Sequence, residues 1–433
     1  MKETCPFDLV IGLDRSDAKA DLCSVDNRTG QRRTQSLDVS PESLQEWAEE
    51  LRKACPAGKI AICVEQPAPN LLIFLEGFDF ITLFAINPVT LQKFREAFVT
   101  SRAKDDKVDA GFLAELVLSH HEKLTRWHAE DSQTRLLGQL VVHRRAVVDE
   151  RTRLSNRFRA LLKQYFPQAL QLAGEDLWRP LGTAFLLRWP TLQEVKKARP
   201  ETLRKFYYAQ GSRSQQLVEK RLELVSGAVA LCDQEGLLET YSCRIKLIAR
   251  ELRLVDQAIK TYDKRIAEVF HQHPDREIFR NLPGAGPTFA PRLLVSLGSR
   301  RERYPSNQSL QCFTGIAPVT KQSGKKCHVH RRYLCPKFVR QSFHEFAKES
   351  ILHSRWAAAY YKQQRERGGS HNTAVRALAY KWQRIIWRCW QDRVAYREQI
   401  YEAALRSRKS PLTAALDGIV VGKFPITTNE NKS

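Results

Sequence analysis

Apolar runs and alternations divide the chain into two textures. Residues 7–14, FDLVIGLD, form a continuous apolar run closed by an acid, the pattern of a strand covered on both faces. Residues 20–27 and 31–37 read as two short strands around Asn27-Arg28-Thr29-Gly30, a hairpin turn. Ser40-Pro41-Glu42 predicts a helix to about Cys55, with Ser40 as N-cap and Pro41 in the first helical position. Residues 59–65, KIAICVE, repeat the buried strand that ends in an acid; Pro69–Gly77 reads as a short helix and residues 80–86, FITLFAI, as a further strand. Pro88 opens a helix to about Val99, and a loop over Thr100–Asp105 leads into a helix from Asp106 to His120. Three strands and a helix, then alternating strands and helices, predict an α/β domain with a mixed sheet.

From about residue 130 the texture is helical. Leu137, Leu140, Val147, Leu154, Phe158 and Leu161 keep three-and-four spacing, and Leu252, Val255, Ile259, Tyr262, Ile266 and Val269 repeat it. Such seams predict a coiled coil or a helical hairpin; an amphipathic helix inside one bundle gives the same pattern. Residues 167–212 between them read as an insert. A third region, 279–400, opens on Asn281-Leu282-Pro283-Gly284-Ala285-Gly286-Pro287 and closes on an aromatic and basic helix, Thr373–Tyr396. The expected divisions are an α/β domain over 1–125, a helical dimerisation region over 126–275, a mainly α domain over 276–405 and a loose tail over 406–433.

Composition narrows the class. Of 433 residues 42% are hydrophobic, with 8 Trp and 20 Phe, which excludes a disordered protein. No apolar run approaches the roughly 18 residues of a membrane span, and Met1-Lys2-Glu3-Thr4-Cys5 lacks the apolar stretch of a signal peptide. The 10 Cys include no CxxC pair and are expected as reduced thiols of an intracellular protein. The net charge of +22 predicts a polyanionic partner, and its distribution sharpens that expectation. Residues 1–110 carry 14 Lys+Arg against 18 Asp+Glu, a net of −4, so the remainder carries +26. An acidic head on a basic body suggests a site for cations attached to a surface for phosphates.

Asp14 and Glu65 stand where two buried strands end, and Asp106 and Asp109 lie three apart on one helix and face the same way. Four carboxylates gathered together repel unless a cation neutralises them, and Mg²⁺, or Mn²⁺ in its place, suits oxygen ligands while keeping positions open for phosphate oxygens. Each acid taken alone could be a helix cap or a solvated face; the joint pattern on a strand–strand–helix frame favours a metal site.

The set Asp14, Glu65, Asp106 and Asp109 resembles that of RuvC-like, RNase H-fold nucleases. Lys104-Asp105-Asp106-Lys107-Val108-Asp109-Ala110 is similar to the K-T-D-x-x-D-A motif of the DEDD transposases of the insertion-sequence one-hundred-and-ten family. Asp105 stands at the Thr of that motif; register with Lys104 and Ala110 favours Asp106 over Asp105 as the ligand. Gly12-Leu13-Asp14-Arg15-Ser16 fits the family's first motif, and Gln66-Pro67 departs from the small residues usual after its second acid.

In the basic half, Thr314–Lys326 reads TGIAPVTKQSGKK. Ser323 is followed by Gly324, which permits close backbone approach, and Lys321, Lys325 and Lys326 surround it with charge suited to a phosphate. By itself this is the composition of a plain surface turn. The string APVTKQSGK resembles the conserved block of the family's C-terminal domain, closest to its subgroup one-one-one-one, and that block carries the nucleophilic serine, which maps onto Ser323. The turn at Leu282–Pro287 resembles the family's helix–hairpin–helix element, in which Gly284 and Gly286 would let backbone N–H groups meet a phosphate. Trp356–Tyr361, Arg365–Gly368 and Ala374–Trp382 resemble the end of that domain, with the aromatic side chains expected as core. Arg331, Arg332 and Arg340 are candidate phosphate ligands. Cys327, His328, His330 and Cys335 match no standard zinc spacing.

The resemblance, over about residues 7–165 and 279–395, implies a transposase or recombinase of a mobile element. The acidic set of one subunit would meet the serine of another, and cleavage would pass through a phosphoserine link. It also implies DNA as substrate, a structured non-coding guide (bridge) RNA, a dimer or tetramer, and a place in the bacterial cytoplasm at the nucleoid. The rival readings are a metal-only RuvC-like junction resolvase and a non-catalytic nucleic-acid scaffold.

Overall fold

The computed structural model describes residues 5–66, 68–98, 106–324 and 326–416, with Asp106 and Lys107 described in their backbone alone. Lys104, Asp105 and Lys325 lie outside the described residues. The chain divides into two units, Met1–Glu130 and Asp131–Ser433.

The first unit is a five-stranded mixed sheet in the order β3-β2-β1-β4-β5. Its strands are β1 (Leu9–Arg15), β2 (Lys19–Asp26), β3 (Arg32–Asp38), β4 (Ile60–Glu65) and β5 (Ile81–Ile86). β1 pairs antiparallel with β2 and parallel with β4, so the first three strands meander and the last two return by crossovers. This order is compatible with the RNase H-like expectation. Helices α1 (Pro41–Ala54), α2 (Pro69–Glu76), α3 (Pro88–Phe98) and α4 (Asp106–His120) complete the unit. α1 starts as its sequence requires, with Pro41 in the first turn and the Ser40 hydroxyl accepting from the Ser43 N–H at 3.3 Å.

Both faces of the sheet are covered, which is why β4 reads as an unbroken apolar run. Ile11, Leu13, Ile60, Ile62 and Val64 face α1 and α2 through Leu44, Trp47, Leu71 and Leu75. Val10, Ala61, Cys63, Phe84 and Ile86 face the other way, onto Ala110, Leu113, Ala114 and Val117 of α4. The helix backbone lies directly on β1. A Cβ placed on Gly12 would fall 1.9 Å from the Ala110 carbonyl oxygen and 2.6 Å from the Ala114 nitrogen. Only glycine fits there.

The second unit is helical. α5 (Ser132–Tyr165) and α11 (Glu235–Gln272) run antiparallel, as the ion pairs Arg144–Asp263 and Arg151–Asp256 show. Much of the three-and-four seams packs within an intrachain helical hairpin: Leu137, Leu154 and Phe158 of α5 and Leu252, Ile259, Ile266 and Val269 of α11 are buried, while Val147 and Val255 stay half-buried. The segment that read as an insert folds into α6 (Ala169–Leu172), α7 (Pro180–Arg188), α8 (Leu192–Lys196) and α9 (Pro200–Ala209), followed by α10 (Gln215–Gly227). They pack between the C-terminal half of α5 and the N-terminal half of α11 around Phe166, Phe185, Val195 and Val218.

The opposite end of the hairpin shares a core with α12 (Arg276–Arg280), α13 (Gly286–Leu297), α14 (Asn307–Phe313), α15 (Lys337–Ser350), α16 (Arg355–Glu366), α17 (His371–Gln391), α18 (Glu398–Ser407) and α19 (Thr413–Leu416). Trp356, Trp382 and Trp390 are fully buried there, and their indole N–H groups donate to Tyr396, Ser350 and the Gly298 carbonyl at 2.7, 2.8 and 3.0 Å. The expectation of a loose tail from Arg406 is corrected through Leu416: Leu412 and Leu416 are buried in this core, and the Arg355 guanidinium donates to the Leu416 carbonyl at 3.1 Å. Between α14 and α15 stands a two-stranded hairpin, β6 (Val319–Ser323) and β7 (Lys326–His330).

A polar network ties the hairpin's ends. The Asp275 N–H donates to His273 Nδ1 at 3.1 Å, so the neutral ring carries its hydrogen on Nε2 and donates to Thr134 Oγ1 at 2.9 Å. The Thr134 hydroxyl donates in turn to Asp131, whose carboxylate caps α5. Burial, outweighing the neighbouring Asp275 and Asp131, holds His273 below the usual histidine range.

Gly12→Ala is expected to destabilise the first unit by about 3 kcal/mol in a denaturant titration, since the helix backbone has to move. Gly111→Ala, where nothing lies within 4 Å of the added methyl, should be neutral or stabilising by about 0.5 kcal/mol. A second expectation concerns pH. His273 binds fewer protons folded than unfolded, so its contribution is complete above about pH 6.5 and is lost as pH falls through the depressed folded value. The melting temperature of the second unit should fall between pH 7 and 5, less steeply in His273→Asn.

Candidate active site and nucleic-acid interface

In the first unit three of the four expected acids come to one side of the sheet. Leu13 pairs with Val64, so Asp14 and Glu65 follow at neighbouring positions as β1 and β4 end. Side chains two apart on a strand share a face, which puts Asp14 on the side of Gly12, and Glu65 on the side of Cys63. That is the side α4 covers, and Asp109 directly precedes Ala110, the residue in contact with Gly12. Asp106 opens α4 one turn earlier; its side chain is outside the described set.

Asp14 and Glu65 are half-buried, whereas Asp109 is 2% exposed, which excludes the solvated face that its sequence position allowed. Arg95, on α3, supplies its counter-charge: Nη1 donates to both carboxylate oxygens at 2.9 Å. The sequence held no signal for Arg95, which lies fourteen positions from Asp109 on a different helix. The donor set is all carboxylate, the chemistry of a hard cation. Among the described residues, no three acidic, His or Cys side chains converge closely enough to hold an ion. The Arg95 pairing accounts for the charge balance at Asp109 in this arrangement.

In the second unit the β6–β7 register decides what Ser323 faces. Ser323 pairs with Lys326, Lys321 with His328, and Val319 with His330. Paired residues of an antiparallel ladder share a face, so Ser323, Lys321, Lys326, His328 and His330 lie together on one exposed face. Thr320, Gln322, Cys327 and Val329 lie on the other. Gly324, at φ +56°, makes the turn beside the serine. The same alternation separates Cys327 from the two histidines. Cys335 packs instead into the space left by Gly315, where a Cβ would lie 2.2 Å from its Sγ.

Gly284 and Gly286 have φ of +78° and +49° and form the tight turn between α12 and α13. At Gly284 an added Cβ would meet His353 at 2.8 Å, so this glycine serves packing as well as turn geometry. Arg332 and Arg340 are half-buried near the foot of the β hairpin, and Arg331 is exposed.

The chain thus carries a mixed sheet with strand-end carboxylates, followed by a basic helical unit that presents a serine on a cationic hairpin. Residues 11–167 match the IS110-type DEDD transposase family model, and residues 276–362 match the family described as Transposase IS116/IS110/IS902. The chain belongs to this IS110/IS116/IS902 transposase family. A mini-circle protein of Streptomyces coelicolor, named as a candidate transposase for IS117, is 27% identical over 321 residues, 73% of this chain and 78% of the relative. The 43.6 kDa protein of insertion element IS110 from the same organism is 24% identical over 350 residues, 80% of this chain and 85% of its own. The 44.8 kDa protein of IS116 from Streptomyces clavuligerus is 25% identical over 259 residues, 59% of this chain and 64% of the relative.

Removing Arg95 leaves a carboxylate buried without its counter-charge. Arg95→Met should cost about 3 kcal/mol in chemical denaturation. The double variant Arg95→Met/Asp109→Leu should recover most of that loss, because both polar partners are then gone.

Proposed function

We propose that this chain is a transposase that cleaves and exchanges DNA strands of a mobile element through a covalent phosphoserine at Ser323. The observation that carries the reading is the register that puts Ser323 on one exposed face with Lys321, Lys326, His328 and His330, in a chain of this family. A phosphate on that face meets positive charge on both sides of the hydroxyl.

The serine Oγ attacks phosphorus and the bond from phosphorus to one bridging DNA oxygen breaks, with the serine proton leaving on that oxygen. Attack by a hydroxyl from another strand then releases the serine and joins the exchanged strands, so no bond energy is lost between the steps. Asp14, Glu65, Asp106 and Asp109 would hold Mg²⁺ or Mn²⁺, which would neutralise charge developing on the phosphate. Asp14 and Glu65 present the two strand-end carboxylates for this role, and Asp109 would join them if it were released from Arg95. The resemblance supports pairing the acidic set of one copy with the serine of another.

Several features support a nucleic-acid partner of more than one kind. The +26 charge after residue 110 suits neutralising many phosphates; Gly284, Gly286, Arg331 and Arg332 are proposed to contact them, as is Lys325, which lies outside the described residues. A structured guide RNA, read by base pairing while the protein holds backbone and shape, fits that charge and the family resemblance. An apolar cleft on the long hairpin is a candidate surface for a second copy. Ala146, Val147, Leu254, Val255 and Ala258 line it, and Leu254 is 67% exposed.

Ser323→Ala should abolish strand cleavage and the protein–DNA adduct trapped by denaturation, with DNA binding retained. Cleavage retained without an adduct would establish the metal-only nuclease instead. Asp14→Ala and Asp109→Ala should each lower cleavage by at least about a hundredfold without loss of binding; unchanged activity would leave the acids structural.

A further inference from the structure

Buried Arg292 and half-buried Arg301 of the second unit are each matched to a carboxylate, whereas buried Arg221 lies over the Tyr207 ring. Arg292 pairs with Glu345 at 2.6 Å and Arg301 with Asp275 at 2.7 Å. The arginines at the foot of the β6–β7 hairpin have other partners. Half-buried Arg332 reaches the Cys312 sulfur at 3.7 Å, and its Nε is buried with no described partner. Arg340, on α15, donates to the Cys335 sulfur at 3.3 Å and to the Arg332 carbonyl at 3.4 Å. Half-buried Arg376, on α17, sits in the field of Arg331 and Arg340. Three elements therefore bring four guanidinium groups together, with thiols and a carbonyl as their strongest described partners. Each guanidinium carries five donors in a planar fork and sulfur is a weak acceptor, so the buried Arg332 Nε has no acceptor and the solvent-facing donors are open to a phosphate.

Beside the cluster is an unusual exposure. Tyr333 is 74% exposed and Leu334 70%, and the Arg331 guanidinium lies 5.8 Å from the Tyr333 ring centroid. A cationic groove next to an exposed aromatic face is the arrangement that holds an unpaired strand, with phosphate on the forks and a base on the ring. The base of a duplex, stacked between its neighbours, has no face to offer.

We propose that Arg331, Arg332, Arg340 and Arg376 grip a backbone phosphate of a single nucleic-acid strand whose adjoining base stacks on Tyr333. Val319 and His330 close the hairpin four residues from Ser323, so the cluster stands on the order of 13 Å from the serine. A strand crossing both places would be held a few nucleotides from the reactive phosphate. This last point rests on the reading of Ser323 as nucleophile; the grip itself does not.

The test is equilibrium binding of full-length Ser323→Ala protein, measured by fluorescence anisotropy across a salt series. The probes are a 20-nucleotide single-stranded DNA, an RNA of the same sequence, and the corresponding DNA duplex. Tyr333→Leu should weaken both single strands about tenfold and leave the duplex and the salt slope unchanged. Arg331→Gln, at an exposed position, and Arg340→Gln/Arg376→Gln should each lower the salt slope, by about 0.7 for each phosphate no longer neutralised. Arg153→Gln, an exposed arginine already paired with Glu150, is the control for loss of charge alone. Equal losses for duplex and single strand in Tyr333→Leu, or no loss in either, would overturn the proposal. So would Arg331→Gln and the double variant behaving as the control does. A preference for RNA over DNA in the unsubstituted protein would identify the strand as RNA. None of these readouts depends on cleavage, so the failure of the serine mechanism would leave them standing.

Discussion

The close contact between α4 and β1 at Gly12 governs the first unit. A helix backbone can approach a strand this nearly only where the strand has no side chain, and the facing helix residues, Ala110 and Ala114, are small for the same reason. The contact fixes more than packing. It holds the residue preceding Ala110 beside the end of β1, so the depth of the helix on the sheet determines how near Asp109 stands to Asp14. Glu65 follows from the parallel register of β1 and β4. A methyl group at Gly12 would displace the helix and with it the buried carboxylate of Asp109.

Charge is handled in opposite ways in the two units. Asp109 is buried and fully matched by Arg95, which keeps an uncompensated charge out of the interior of an acidic domain. At the foot of the β hairpin the excess is positive and unmatched, a state that costs stability unless a polyanion supplies the missing charge. Stability and binding pull in different directions at that place. The second unit tolerates it because three tryptophans anchor a large helical core, and because Arg292 and Arg301 are paired with carboxylates.

Much of this arrangement was legible along the chain, for local reasons. The strands β1, β4 and β5 showed as apolar runs because helices cover both their faces, and the Ser40-Pro41 cap of α1 is a matter of adjacent residues. The acids at strand ends could be picked out by position alone. The seams at 137–161 and 252–269 were equally visible, yet the periodicity of a helix does not say whether its partner lies in the same chain; here α5 and α11 answer one another. Residues 167–212 had no periodic signal because their helices are short and share a core contributed by two distant ones. The packing of Leu412 and Leu416 was hidden by the polar composition of the residues after them.

By itself, then, the sequence determined the α/β head, the helical body, the division of charge between them and the candidate residues for chemistry, all of which depend on residue type and short-range spacing. Tertiary structure alone decided that Arg95 closes on Asp109, that Ser323 shares its face with two lysines and two histidines but not with Cys327, and that Arg340 and Arg376 converge on the foot of the same hairpin. These are relations between side chains on different elements. They follow from strand register and helix depth, which the whole core sets and no local stretch of residues encodes.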